Sequence, residues 1–188
     1  MDLKYTIEKI EHKISLAEYI STCHNPEEVW GNCRACDNYG KQWSCPPFDF
    51  NVVERLSRYN SVLLMVVKIT LHDRDLTQCE IDAIFQHERI QFEYQLLELE
   101  RTHHGLASTL VGQCVHCGQE CCSRLIGRPC RHPDLVRPSL EAYGFDVSKT
   151  LSDFFNIELQ WSNNGRLPEY LILSCGLFLS CNYSADKL

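Results

Sequence analysis

The apolar positions of this chain change their period several times, and each change marks an element. Tyr5, Ile7, Ile10 and Ile14 alternate imperfectly with charged residues and predict a strand from Tyr5 to about residue 12. Leu16, Tyr19 and Ile20 share one face of a short helix over residues 15–22. Within residues 61–71, Val62, Leu63, Leu64, Met65, Val66, Val67 and Ile69 form an almost unbroken apolar run, as expected of a central strand covered on both faces. Farther on, Ile81, Ile84, Phe85, Phe92, Leu96 and Leu99 recur at helical spacing. Thr77-Gln78-Cys79-Glu80 matches a capping box before them, and His104-Gly105 supplies a stop after about His103. Residues 106–112 read as another strand, and residues 138–144 and 148–155 as short helices. Residues 157–161 and 169–179 read as a closing hairpin turning at Asn164-Gly165. The pattern predicts an α+β fold, a mostly antiparallel sheet covered by helices, in a single domain over residues 1–188.

Two stretches have no period. Asn25-Pro26-Glu27-Glu28 is a good helix start that would deliver Cys33 into the first, residues 33–48, a loop rich in turn formers. The second, from Gly112 to Pro133, holds five cysteines within seventeen residues: Cys114, Cys117, Cys121, Cys122 and Cys130. Composition sharpens this picture, because twelve of the 188 residues are cysteine in a chain long enough to bury a core without cross-links. Charges fall where the apolar part of a secretory signal would begin, and the run near residues 62–67 is too short to span a bilayer. A cytoplasmic protein with no membrane segment is therefore expected, and in a reducing compartment crowded cysteines are metal or cluster ligands before they are disulfides. The formal charge of -7 disfavours broad nucleic-acid binding.

Cys-x2-Cys lets two thiolates converge on one metal, and both groups contain it: Cys33-x2-Cys36-x8-Cys45 and Cys114-x2-Cys117-x3-Cys121-x8-Cys130. The second group suffices for a four-thiolate site. The preferred cofactor is an iron-sulfur cluster, [4Fe-4S], one or two per chain, with zinc as the competitor. The fourth ligand of the first group is open among Cys23, His24, Cys175, Cys181 and a cysteine of the other group. One of Cys121 and Cys122 should ligate while its neighbour packs. Cys79, Cys175 and Cys181 read as small buried hydrophobes. Arg124, Arg128, Arg131 and Arg137 bracket Cys130 and either tune a cluster or form a solvated rim of ion pairs. His116 is expected to point outward, and Tyr39 and Trp43 to pack over the first loop.

A run of motifs covers nearly the whole chain: Cys36-Asp37-Asn38-Tyr39-Gly40-Lys41-Gln42-Trp43-Ser44-Cys45-Pro46-Pro47, Gly112-x-Cys114-x2-Cys117, Cys130-Arg131-x-Pro133, and Arg137-Pro138-Ser139-x-Glu141-Ala142-x-Gly144-x-Asp146-Val147. Together they resemble a family of predicted metal-binding proteins, domain of unknown function number 2284. That resemblance implies a cysteine-ligated metal or iron-sulfur site in a protein found mainly in anaerobic microbes. Its implied ligands are Cys33, Cys36, Cys45, Cys114, Cys117 and Cys130, with one of Cys121 and Cys122. Three function classes follow: an iron-sulfur protein exchanging electrons with a redox partner protein, a zinc-stabilised interaction module, and an enzyme using an open metal or cluster site. No nucleophile-His-acid set, phosphate-binding Gly-rich loop or radical-enzyme Cys-x3-Cys-x2-Cys pattern is present in the sequence.

Overall fold

The computed structural model describes residues 4–73, 75–118, 121–161 and 167–180. Strand β1 (Tyr5–Ser15) leads into helix α1 (Leu16–Cys23), then α2 (Pro26–Ala35) and a short α3 (Val52–Leu56). Strand β2 (Ser61–Leu71) precedes the long α4 (Gln78–His103) and β3 (Leu106–Ser108). Helix α5 (Val147–Phe155) and β4 (Tyr170–Leu179) complete the described fold. The sheet is antiparallel throughout, in the order β1-β2-β4-β3.

The apolar run in β2 is buried on both faces. Leu63, Met65, Val67 and Ile69 pack with Ile81, Phe92 and Leu96 of α4, while Val62, Leu64 and Val66 pack with Tyr19, Tyr143, Phe145 and Leu151. Strict alternation thus feeds two separate cores from one strand. The edge strand β1 is mostly exposed, which accounts for its blurred alternation, and it runs to Ser15 because its register continues to Ser61.

The helix starts expected at Asn25 and Thr77 hold. Asn25 and Asp146 cap α2 and α5, and Thr77 and Glu80 close a capping box at the start of α4. His104, left-handed at φ 50°, ends α4. The Glu80 carboxylate accepts from Thr77 N–H (2.9 Å), Thr77 Oγ1 (2.9 Å) and Lys4 Nζ (3.0 Å). The bond from the Thr77 amide, then the Lys4 ammonium, hold its pKa down to about 2. Because the folded pKa is depressed, this stabilisation is present above the ordinary value of 4.5 and disappears as pH falls through about 2. Thermal melts across that window are expected to show Glu80→Gln losing less stability on acidification than the native chain; equal losses would remove the capping box from the acid response.

Three expected elements differ. Only Leu106–Ser108 is strand, because Thr109 N–H turns to the Pro138 carbonyl (2.9 Å) and bridges Ser139 instead of β4. Residues 138–144 make a turn in place of a helix. Bridges at Ser139 and Phe145 hold both ends, and Gly144 closes the turn at φ 86°, with Pro26 so near that a Cβ there would lie 2.9 Å from it. The expected hairpin is also missing on one side. Residues 157–161 are irregular chain tied to the start of β4 by side chains in place of a ladder, Glu169 N–H donating to Gln160 Oε1 and Tyr170 Oη to the Glu158 carbonyl (both 2.7 Å). Asn164-Gly165 lies outside the described residues. The short α3 and a 3-10 turn at Ser123–Ile126 had no predicted counterpart.

Candidate metal centre

Helix α2 delivers Cys33 in its last turn, and the loop that follows is folded by its own backbone. Cys36 N–H donates to the Cys33 carbonyl (3.0 Å), Tyr39 N–H to Cys36 (3.1 Å), and Gly40 N–H to Pro46 (2.8 Å), with Gly40 left-handed at φ 69°. Gln42, nearly fully buried, joins this loop to the other. Its Nε2 donates to Asn38 Oδ1 (2.7 Å) while its Oε1 accepts from Cys114 N–H (2.7 Å).

Arg124, on the 3-10 turn after Cys122, makes the second connection. Its Nη1 donates to the carbonyls of Gln42 and Cys45 (both 2.6 Å), its Nη2 donates to Pro47, and its guanidinium lies over the Trp43 ring at 5.2 Å. Trp43 Nε1 in turn donates to the Arg128 carbonyl (3.2 Å). Arg124 is therefore an anchor between the loops and not part of a solvated rim, while Arg128 and Arg131 are exposed. Arg131 holds the Cys121 carbonyl (3.0 Å), and Arg137 forks onto Glu100 near the end of α4 with both side chains largely covered.

A cavity of about 140 Å³ opens between the two loops and α4. Cys33, Cys36 and Cys45 line it together with Cys114, so both cysteine groups contribute to one space. Burial pushes the Cys33 thiol up to about 11 and raises those of Cys45 and Cys114. Cys122 lies within electrostatic reach of both Cys45 and Cys114, whereas Cys121 is exposed. Cys117 and Cys130 are half-buried outside the cavity lining, and Cys130 Sγ accepts from His132 N–H (3.4 Å). Every described cysteine is a free thiol. Among the described residues no three His, Cys, Asp or Glu side chains are close enough to hold a metal ion as they stand.

Of the other candidates for the first group's fourth ligand, Cys23 and Cys175 are buried in the cores and His24 Nε2 is engaged with the Tyr143 carbonyl (3.1 Å). Cys181 lies outside the described residues. Two expectations are corrected. Cys79 is exposed, because it lies on the face of α4 opposite buried Ile81, and His116 points inward, lining the cavity 3.4 Å from Glu93 Oε1. Tyr39 lines the cavity as well, while Trp43 packs on the second loop.

Sequence reasoning passed over Arg89 and Glu93, which line the cavity from α4 and are buried. A signal was available. The apolar stripe of α4 runs Ile81, Phe85, Phe92, Leu96, and the position it skips between Phe85 and Phe92 is occupied by Arg89.

A four-stranded α+β fold that clamps two cysteine loops over one thiol-lined cavity is the framework of a cysteine-rich metal-binding protein. The chain belongs to the family described as "Predicted metal-binding protein (DUF2284)", which matches residues 20–177. No curated protein and no solved structure matches it. Among the described residues no helix is long and apolar enough to cross a membrane.

Proposed function

We propose that the protein holds an iron-sulfur cluster of the [4Fe-4S] type, with Cys33, Cys36, Cys45 and Cys114 as the ligand set, and exchanges electrons with a redox partner protein in the cytoplasm. The observation that carries this reading is the convergence of those four cysteines on one cavity. The donor set fits. Four soft thiolates suit iron-sulfur or zinc, and a bound cation would compensate the thiolate charge that burial disfavours there. The thiols are not yet within mutual bonding distance, so uptake would draw the two loops together, coupling binding to the order of the loops. When bound, the cluster would supply reversible one-electron chemistry. The chain's own part is to hold the loops in register through Gln42 and Arg124, while exposed Cys36 and Cys121 mark where the loops reach solvent and a partner.

Protein purified without oxygen is expected to be brown, to contain iron and acid-labile sulfide, and to bleach on reduction. A colourless preparation carrying stoichiometric zinc would replace this reading with a zinc-stabilised interaction module. Cys33→Ser and Cys114→Ser are each expected to lose most of the bound metal. Should Cys114→Ser keep its full content while Cys33→Ser loses it, the mixed ligand set is wrong and the two groups act separately.

A further inference from the structure

Arg89 occupies a core-facing position of α4 at 2% exposure, yet its charge is not balanced in the usual way. Among the described residues its Nη1 reaches Gln86 Oε1 at 3.4 Å, and its Nε has no hydrogen-bond partner. A guanidinium buried without a carboxylate destabilises a fold, so stability does not explain why one is kept here. Glu93, one turn along the same helix, is already engaged, accepting from Thr109 Oγ1 (3.0 Å) and facing His116. Gly112, at φ 119°, lies against the guanidinium, where a Cβ would sit 3.6 Å from its central carbon.

Arg89 shares its cavity with the four cysteines, and two more buried polar atoms around that space lack hydrogen bonds, His116 Nε2 and Glu141 Oε2. The remaining wall includes Leu110, Val136, Ala142 and Pro46, which are apolar. A space of about 140 Å³ is close to what a six-membered ring fills, so an occupant of a few heavy atoms fits it. The planar fork of an arginine matches the two oxygens of a carboxylate, and apolar walls favour a carbon chain over a bare inorganic anion.

We propose that this cavity is a binding site for a short organic carboxylate, received by Arg89 and enclosed by Leu110, Val136 and Ala142 beside the cysteine loops. The site stands on Arg89 and the cavity, and because the four thiols line that same space, the chelated protein is the form expected to bind carboxylate most fully. It gives the protein a small-molecule ligand that an electron carrier or a structural zinc module does not need.

The test is calorimetric titration of the protein as isolated, and of the same protein after chelation, with acetate, propionate and butyrate, and with phosphate and sulfate in parallel. Saturable binding of a carboxylate at one site per chain is expected, weakened at least about tenfold in Arg89→Met, a change of about 1.4 kcal/mol. That variant should melt no lower than the native chain, and carboxylate should raise the melting temperature of the native chain alone. Val136→Trp, which fills the cavity from the opposite loop and leaves Arg89 intact, is expected to abolish binding too, and keeps the test decisive if Arg89→Met does not fold. Absence of saturable carboxylate binding overturns the proposal. So does equal binding by both variants, or phosphate and sulfate binding as tightly as the carboxylates. A colourless zinc preparation that still binds carboxylate would overturn the cluster and leave this site standing.

Discussion

Replacing Arg124 by alanine is expected to release the first cysteine loop from the second and to weaken metal binding about 30- to 100-fold, the equivalent of about 2–3 kcal/mol. One side chain supplies three charge-assisted bonds, to the carbonyls of Gln42, Cys45 and Pro47, and stacks on Trp43. Bonds to a charged donor are each stronger than neutral ones, but Arg124 is half-exposed and water can replace part of what is lost, which keeps the expected total near that of one or two such bonds. The loss would fall on the loops alone. Amide hydrogen exchange across residues 36–47 should accelerate while β2 and β4 stay protected. Lysine is expected to rescue little, since a single ammonium cannot span three carbonyls as the guanidinium fork does. Unchanged exchange in the loop together with unchanged metal affinity would show that Gln42 and the backbone turns suffice to hold it.

Phe178→Ala is expected to act on the whole fold, costing about 3–5 kcal/mol. Phe178 is fully buried in β4, its ring 6.1 Å from that of Tyr143, 6.2 Å from Phe145 and 6.3 Å from Tyr59. Deleting it opens a void where the sheet meets the turn that carries Glu141, and rigid backbone pairing on both sides, to Val62 and to Leu106, prevents the neighbours from collapsing into the gap. Against a typical stability of about 5–15 kcal/mol this is a large share. Urea unfolding should show a lower midpoint with an unchanged slope, and the folded fraction should keep its metal affinity, the reverse of Arg124→Ala. A shift of under about 1 kcal/mol would mean that the site repacks after all.

Much of the fold could be read from neighbouring residues alone. The unbroken run in β2, the capping box of α4 and the caps at Asn25 and Asp146 each depend on groups within a few residues, so local chemistry settles them. The hairpin expected around Asn164-Gly165 shows the limit. A turn signal beside an apolar strand does not supply the pairing: β4 forms through its ladder with β2, and residues 157–161 are held by side-chain bonds at Gln160 and Tyr170 instead. The same holds for residues 138–144, whose helix-like composition yields to bridges made by Ser139 and Phe145 with distant partners.

By itself, the sequence determined that this chain carries two cysteine groups on irregular loops around a doubly covered strand, since residue type, spacing and period are enough for that. Only the tertiary structure decided that Cys114 joins Cys33, Cys36 and Cys45 at one cavity, that His116 faces inward, and that Arg89 and Glu93 approach from α4. These are contacts between segments tens of residues apart. The stripe of α4 marks Arg89 as core-facing, but local spacing does not encode what it meets; the contacts arise when Gln42 and Arg124 bind the two loops together and α4 packs against the sheet.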